Sequence, residues 1–470
     1  MKYLSDIAEY VSEKILSNRV SINEYVTTDS LLPNKEGRTI AQNLPPQTCN
    51  LTLFRQGDVL IANIRPYLRK IWLANCTGGC SADVLVLRAK DIQNTSFLYA
   101  VLMQDDFFNY VMKGAKGSKM PRGDKEQIMR YRVPTFSALE ADKVGNLVLS
   151  YNKKIALNRA INHNLEAMAK QLYDYWFVQF DFPNENGKPY KSSGGKMVWN
   201  EKLKREIPKG WNVLKLGEHC SFNKRTSNGY FNHPILYLDT SNITNNTIDE
   251  LQFLNPSSDI IPSRARRLVQ EGDIVYSTVR PNLKHFGIIM NPDYNMVVST
   301  GFAVITANWS AYRYFIYQFL IQTATIENLS TIAQSAVSAY PSINTSDIEN
   351  LDLVVPPDSM IEKYAKTVCR LYLQIDTNYK EIKSLTKQRD ELLPLLMNGQ
   401  VSVNYDLSAR RRVFSASPSR SYLCHITNFV FPMAKELTDI IKAAAEVRSA
   451  PFSTDNSSSL INPKSTQPVF

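Results

Sequence analysis

The sequence has no segment suited to crossing a bilayer. No run approaches about 18 uncharged apolar residues, and the opening MKYLSDIAEYVSEK places Asp6 and Glu9 where a secretion signal needs an apolar core. Cysteine is scarce, with six residues at positions 49, 76, 80, 220, 369 and 424. That is too sparse for a disulfide framework and fits a reducing, cytoplasmic setting. Catalytic signatures are missing as well. There is no G-x-x-x-x-G-K-[ST] loop and no G-x-G-x-x-G after a strand, and Gly114-Ala-Lys-Gly117-Ser-Lys fits neither. The five histidines, 163, 219, 233, 285 and 425, form no H-E-x-x-H or H-x-E arrangement. Cys76 and Cys80 lack a second ligand pair for zinc. Neither a G-x-S-x-G elbow nor an N-P-P-[YF] tetrapeptide is present. Such reactions need phosphate cradles and positioned bases. The expectation is a chain without catalytic residues, metal or cofactor of its own.

What is present is ordinary in amount. The chain has 470 residues, 44% hydrophobic and 21% charged, which excludes wholesale disorder and suggests about three folded units. The net charge of +10 makes a polyanion the first partner to consider.

An internal repeat organises the sequence. Gly57-Asp-Val-Leu-Ile-Ala-Asn-Ile-Arg65-Pro66 aligns with Gly272-Asp-Ile-Val-Tyr-Ser-Thr-Val-Arg280-Pro281 at an offset of 215 residues. Upstream, Tyr25 pairs with Tyr237 and Leu4 with Leu216 at 212; downstream, Pro121 pairs with Pro341 at 220. A slow drift in constant order is what small loop insertions leave between two copies of one fold. Each copy has short apolar or alternating runs, such as Val84–Leu87 and Phe302–Ile305, broken by Gly, Pro and Asn. That pattern predicts α+β globules rich in strands.

Each globule closes at a proline boundary, Pro134 or Pro356-Pro357, before a long helix. Over 137–177, Val144, Tyr151, Asn158, Leu165 and Leu172 recur every seven residues, with Leu147, Ile161, Met168 and Tyr175 three later. Over 359–393, Ile361, Val368, Ile375 and Ile382 are answered by Tyr364, Leu371, Asn378, Leu385 and Leu392. Heptads this long predict two helices pairing as an antiparallel coiled coil, with Asn158, Leu165, Leu172, Ile375, Asn378 and Leu385 in the seam. The expected units are globule 1 (1–135), long helix 1 (136–180), a polar Pro- and Gly-rich linker (181–210), globule 2 (211–357), long helix 2 (358–400) and a largely disordered extension (401–470). Trp199 and Trp211 suggest local packing around the linker, with an interface as the alternative.

Globules at opposite ends of a rod suit a split duplex site. A helix of about 38 residues spans roughly 57 Å, against about 34–36 Å for one DNA turn. The basic residues expected at phosphates and base edges are Arg65, Arg69, Lys70, Lys116, Lys119, Arg122 and Lys125 in the first copy. In the second they are Lys224, Arg225, Arg264, Arg266, Arg267, Arg280 and Lys284. Arg65 and Arg280, identical in both copies, are expected to maintain the fold. Sequence reading belongs where the copies differ, as in Lys119-Met-Pro-Arg122 against Ala339-Tyr-Pro-Ser342.

Four segments carry a resemblance: Gly57-Asp…Arg65-Pro66, Gly272-Asp…Arg280-Pro281, Trp176-Phe-Val-Gln-Phe-Asp-Phe182 leading into Gly187-Lys-Pro-Tyr-Lys-Ser-Ser-Gly-Gly195, and Leu392-Leu-Pro-Leu-Leu-Met-Asn-Gly-Gln-Val401. Over residues 1–403 the chain resembles the specificity subunits of type I restriction-modification systems. The resemblance implies two target-recognition domains reading a bipartite double-stranded DNA sequence. It implies helical regions that dock two methylation subunits, with Tyr175, Trp176, Phe177, Leu393 and Leu395 as the contacts expected here. It also implies motor-nuclease restriction subunits, with S-adenosylmethionine, ATP and Mg on those partners, and a place beside the nucleoid. Two other readings are a coiled-coil adaptor with two basic globules and a self-contained DNA methyltransferase. The tail from 404 has no counterpart in the family pattern.

Overall fold

The computed structural model describes residues 1–117, 119–335 and 341–403. Of the expected extension, residues 404–470 lie outside the described residues, as do Ala339 and Tyr340. Residues 1–403 form one compact unit, and no helix among the described residues is long and apolar enough to cross a membrane.

In the first half, β1 (Ala8–Tyr10), β2 (Val59–Ala62), β3 (Ile71–Leu73) and β4 (Val84–Ala89) form a sheet ordered β1-β4-β2-β3, antiparallel throughout. Helices α1 (Thr95–Leu102) and α2 (Asp105–Lys113) follow, and then α3 (Ala138–Tyr173), the first long helix. In the second half, β5 (Cys220–Phe222), β6 (Ile274–Ser277), β7 (Phe286–Ile288) and β8 (Phe302–Ala307) repeat the order as β5-β8-β6-β7. After them come α4 (Tyr312–Leu320), α5 (Thr323–Ser335) and the second long helix, α6 (Asp358–Met397). The continuous apolar runs Val59–Ala62 and Ile274–Ser277 are central strands, buried at every residue, as strands covered on both faces must be.

A second sheet in each half shows where the copies diverge. Both contain a parallel pair, Tyr25–Val26 with Gly78–Cys80 and Ile235–Leu238 with Met296–Ser299. Both place an antiparallel strand on the far side of that pair, Asn50–Phe54 and Ala265–Leu268. The fourth strand differs. Lys14–Leu16 extends the first sheet beyond Asn50–Phe54, whereas Gln252–Leu254 extends the second beyond Ile235–Leu238, at the opposite edge.

The long helices share a seam. Ser137 caps α3, accepting from the Glu140 N–H while Glu140 accepts from the Ser137 N–H, a capping box that satisfies otherwise orphaned donors. Rising numbers on α3 meet falling numbers on α6: Arg389 Nη1 donates to Asn152 at 2.7 Å, Asn158 Nδ2 to Glu381 at 2.7 Å, and Asn378 Nδ2 to Asn162 Oδ1 at 2.7 Å. The phase on α3 differs from the expected one. Val144, Asn158 and Leu165 are buried, but their companions are Val148, Ile155, Asn162 and Ala169, four residues later instead of three. Leu147, Ile161, Met168 and Tyr175 flank the seam half-buried, as do Leu172 and Leu385, while Ile375 and Asn378 are buried in it. The α6 series continues one heptad further, to Arg389, only 4% exposed.

Each long helix begins in one half and ends in the other half's core. Val144 and Val148 of α3 pack with Leu87, Phe97 and Val101 of the first half, and Leu393, Leu396 and Met397 of α6 join that same cluster. Conversely, Tyr173, Trp176 and Phe177 lie with Tyr276, Phe315 and Leu353 of the second half, as do Ile361 and Tyr364 of α6. The segment read as a polar linker is partly packed. Phe182 stacks on Tyr190 and on Trp211, and a hairpin pairs Met197–Asn200 with Arg205–Pro208. Trp211 is buried, whereas Trp199 is exposed.

Candidate nucleic-acid interface

The repeated Gly-Asp and Arg-Pro pieces form the two ends of one structural unit in each half. Asp58 accepts from the Arg55 N–H at 2.8 Å and Asp273 from the Gln270 N–H at 2.8 Å, turning the chain into the central strand. At the other end of that strand, Arg65 (φ 53°) and Arg69 (φ 51°) bracket a short turn over Pro66–Leu68. Arg280 (φ 48°) and Lys284 (φ 59°) bracket Pro281–Leu283 in the same way. Left-handed backbone at a residue with a Cβ costs about 1–2 kcal/mol, and four such residues persist only because the surroundings hold them.

What they hold is the neighbouring loop. The Arg65 N–H donates to the Pro121 carbonyl at 2.8 Å and the Arg280 N–H to Pro341 at 3.0 Å. Gly123 N–H reaches Asn63 at 3.1 Å, and Ile343 N–H reaches Thr278 at 2.8 Å. The Arg-Pro turn is thus a bracket of the same build in both halves. It holds Pro121 and Gly123, beside Lys119 and Arg122, in the first half and Pro341–Ile343 in the second.

Among the basic residues of the first half, Arg65, Lys116, Lys119, Arg122 and Lys125 are exposed. Lys116 pairs with Asp124 at 3.1 Å and Arg122 with Asp83 at 2.9 Å, surface contacts that a phosphate can displace. Arg69 and Lys70 turn inward instead. Arg69 pairs with Asp105 at 3.1 Å, and Lys70 donates to the Thr28 carbonyl at 2.6 Å, with burial pulling its ammonium below the ordinary range.

In the second half Lys224, Arg264, Arg266, Arg280 and Lys284 are exposed, and Arg267 is half-buried. Arg225 is a fold residue. It pairs with the fully buried Asp273, which also accepts from Thr306 Oγ1 at 2.7 Å. A carboxylate taken out of water needs that counter-charge. In the first half Arg88 plays this part from β4, with Nε 2.7 Å from Asp58. Arg88 lies in β4 and Arg225 in the loop after β5, so no sequence offset relates them.

The contacts expected for partner proteins divide as well. Trp176 and Phe177 are buried against Tyr364, and Leu393 is buried in the first half's core. These three serve the chain's own packing, because their apolar surface is already covered. Tyr175 and Leu395 retain exposed surface. The turn that carries Tyr175 to Phe177 is a π-helix over Asp174–Val178, a widening often found at functional positions.

Sequence reasoning missed the polar joints between halves and helices. Lys35 Nζ lies 2.8 Å from Asp105 and 3.2 Å from Asp390 on α6, and Arg159 on α3 pairs with Glu36 at 2.6 Å. In the second half, Asn246 Nδ2 donates to Glu166 on α3 at 3.2 Å, and Thr247 bonds Tyr379 at 2.8 Å. Burial raises the Glu166 carboxyl to about 7, the Asn246 amide offsetting only part of this. A carboxyl raised on folding favours the native state at low pH and loses that advantage as pH climbs from the ordinary carboxylate range to 7. Glu166→Gln should therefore stabilise the chain by about 1–2 kcal/mol at pH 8 after allowance for partial exposure, and change little at pH 5. Urea midpoints at the two pH values read this directly.

Residues 208–387 match the model of a protein family described as the type I restriction modification DNA specificity domain. The chain is 25% identical over 365 residues to the specificity subunit of the type I restriction enzyme MjaIX of Methanocaldococcus jannaschii, covering 76% of this chain and 80% of that protein. It is 28% identical over 171 residues to the HindI specificity subunit of Haemophilus influenzae, 36% of each chain. Among solved structures, an S subunit of a type I restriction-modification system from M. genitalium superposes with a TM-score of 0.51 at 15% identity, covering 84% of this chain and 95% of that one. That likeness extends to the mixed fold of strands with long helices.

Proposed function

We propose that this chain is a specificity subunit of a type I restriction-modification system, in which each half is a target-recognition domain reading one part of a bipartite DNA sequence. In this reading residues 1–135 and 211–357 are duplicated recognition domains, and the long helices form an antiparallel coiled coil that spaces them. The observation that carries it is the repeated bracket, in which one strained Arg-Pro turn in each half supports a neighbouring loop whose sequence differs between the copies. A constant support under a variable segment is the division of labour that positioning contacts and base reading require.

The exposed set Arg65, Lys116, Lys119, Arg122 and Lys125 serves the first half-site, and Lys224, Arg264, Arg266, Arg280 and Lys284 the second. The helical region, with Tyr175 and Leu395 at its surface, docks two methylation subunits. Those partners bring S-adenosylmethionine, and restriction subunits bring ATP and Mg. The setting in this reading is the cytoplasm, at the nucleoid. The purified chain alone should transfer no labelled methyl group to DNA, since it carries no residue set for binding a methyl donor. Robust incorporation without other subunits would contradict this.

The deciding experiment substitutes Lys119→Ala with Arg122→Ala and maps methylated sites across the host genome. One half of the recognised sequence should relax or weaken by about 1–3 kcal/mol per lost base contact, while the other half keeps its sequence. Equal relaxation of both halves would reassign the loop to phosphate binding or to the fold.

A further inference from the structure

The two Arg-Pro turns are backed differently, and behind the second lies a cavity. Behind the first turn stand the left-handed residues Asn34 (φ 54°) and Lys35 (φ 64°), whose N–H groups donate to the carbonyls of Leu68 and Arg69 at 2.9 Å each. The Lys35 side chain is buried, and its ammonium bridges Asp105, at the start of α2, and Asp390 of α6. A cation of the chain itself fills this joint.

Behind the second turn the left-handed pair is Asn245 (φ 45°) and Asn246 (φ 65°), with the Asn245 N–H on the Lys284 carbonyl at 2.9 Å. No lysine stands at either position. The joint between this turn, α3, α4 and α5 is a cavity of about 760 Å³. Glu166, Asn245, Phe286, Tyr317, Gln318 and Tyr372 line it. Glu166 is met by one neutral amide, that of Asn246 at 3.2 Å. Gln318 is 1% exposed; its Nε2 donates to the Tyr372 hydroxyl at 2.9 Å, and its Oε1 has no partner. Ser330 Oγ, on the α5 wall, is also buried without a partner. The basic groups at the walls are Lys170, held by Asp174 at 2.5 Å, and Lys284 and His163, both exposed.

We propose that this cavity binds a small alkylammonium ion of the diamine class, whose charged end takes in the second half the place that the Lys35 ammonium takes in the first. A sheltered carboxylate without a cation is unfavourable until one arrives. Orphaned buried acceptors call for N–H donors, which an ammonium supplies threefold. The rings of Phe286, Tyr317 and Tyr372 offer faces to a cation and apolar surface to a methylene chain. A cavity this large accommodates more than a lone ammonium, so a carbon chain is part of the fit.

Putrescine titrated into the full chain at about 0.15 M ionic strength, followed by calorimetry and thermal unfolding, tests this. Saturable binding is expected for the natural sequence, with at least a tenfold loss of affinity in Glu166→Gln. Asn245→Lys, which restores a lysine behind the turn, should raise the unfolding temperature by itself and abolish the response to putrescine. Absence of saturable binding overturns the proposal, as does equal binding by all three chains, which would mean surface counter-ions only. An Asn245→Lys chain that binds putrescine undiminished also overturns it. Should that variant fail to fold, the Glu166→Gln affinity decides alone.

Discussion

Replacing Asp273 with alanine should cost the second half about 3–5 kcal/mol, the range for one member of a buried ion pair. Asp273 is fully buried and gathers three donors: the Arg225 guanidinium, the Gln270 N–H and the Thr306 hydroxyl. Its removal takes the carboxylate from all three and leaves the part-buried Arg225 guanidinium with Gln270 Oε1, at 2.8 Å. Against a typical total of about 5–15 kcal/mol, that loss takes away a large share of the stability. Amide exchange should report it locally, with protection collapsing in β6 and β8 while β2 and β4 keep theirs. Asp58→Ala should do the reverse through Arg88. Unchanged protection in β6 would show that the pair contributes nothing the core does not already supply.

The spacing of the two half-sites should change only when both long helices are lengthened together. After four residues are inserted behind Asn158 alone, its contact with Glu381 and the contact of Asn162 with Asn378 cannot both be kept. The insertion also leaves α6 at its original length with both ends still buried in the two cores. The expected result is loss of specific methylation instead of a longer target. Seven residues inserted at Asn158 and seven opposite, at Glu381, keep the seam phase to within about 20°. They add about 10.5 Å, or roughly three base pairs at about 3.4 Å each. The methylome should then show the same half-sequences about three base pairs further apart. Original spacing in the double insertion would mean the helices do not set the distance.

The repeat was legible because its carriers are backbone devices. A Gly at positive φ, an Asp that caps its own turn and an Arg-Pro step leave the same letters wherever the same turn is made. The long helices were legible from their heptads, but the seam phase on α3 was not. Asn162 and Ala169 occupy buried positions that an apolar count passes over, while Ile161 and Met168 beside them draw the count to the flank. The joint residues were invisible for another reason: Lys35 meets Asp105 and Asp390 across long stretches of chain, and no local pattern announces such a pair. The part Arg225 plays in the fold was hidden as well, because its pairing with the buried Asp273 leaves no mark in the sequence.

The far ends of the long helices also bear on how the chain is made. Leu393, Leu396 and Met397 complete the core of the first half, yet they are synthesised roughly 260 residues after α3 begins. At about 5–20 residues per second, the first half waits some 13–50 s on the ribosome with its floor open. Contacts so distant in sequence close slowly, since their loops must be ordered before they give anything back. During that interval the newborn first half presents the apolar surface that α6 will later cover.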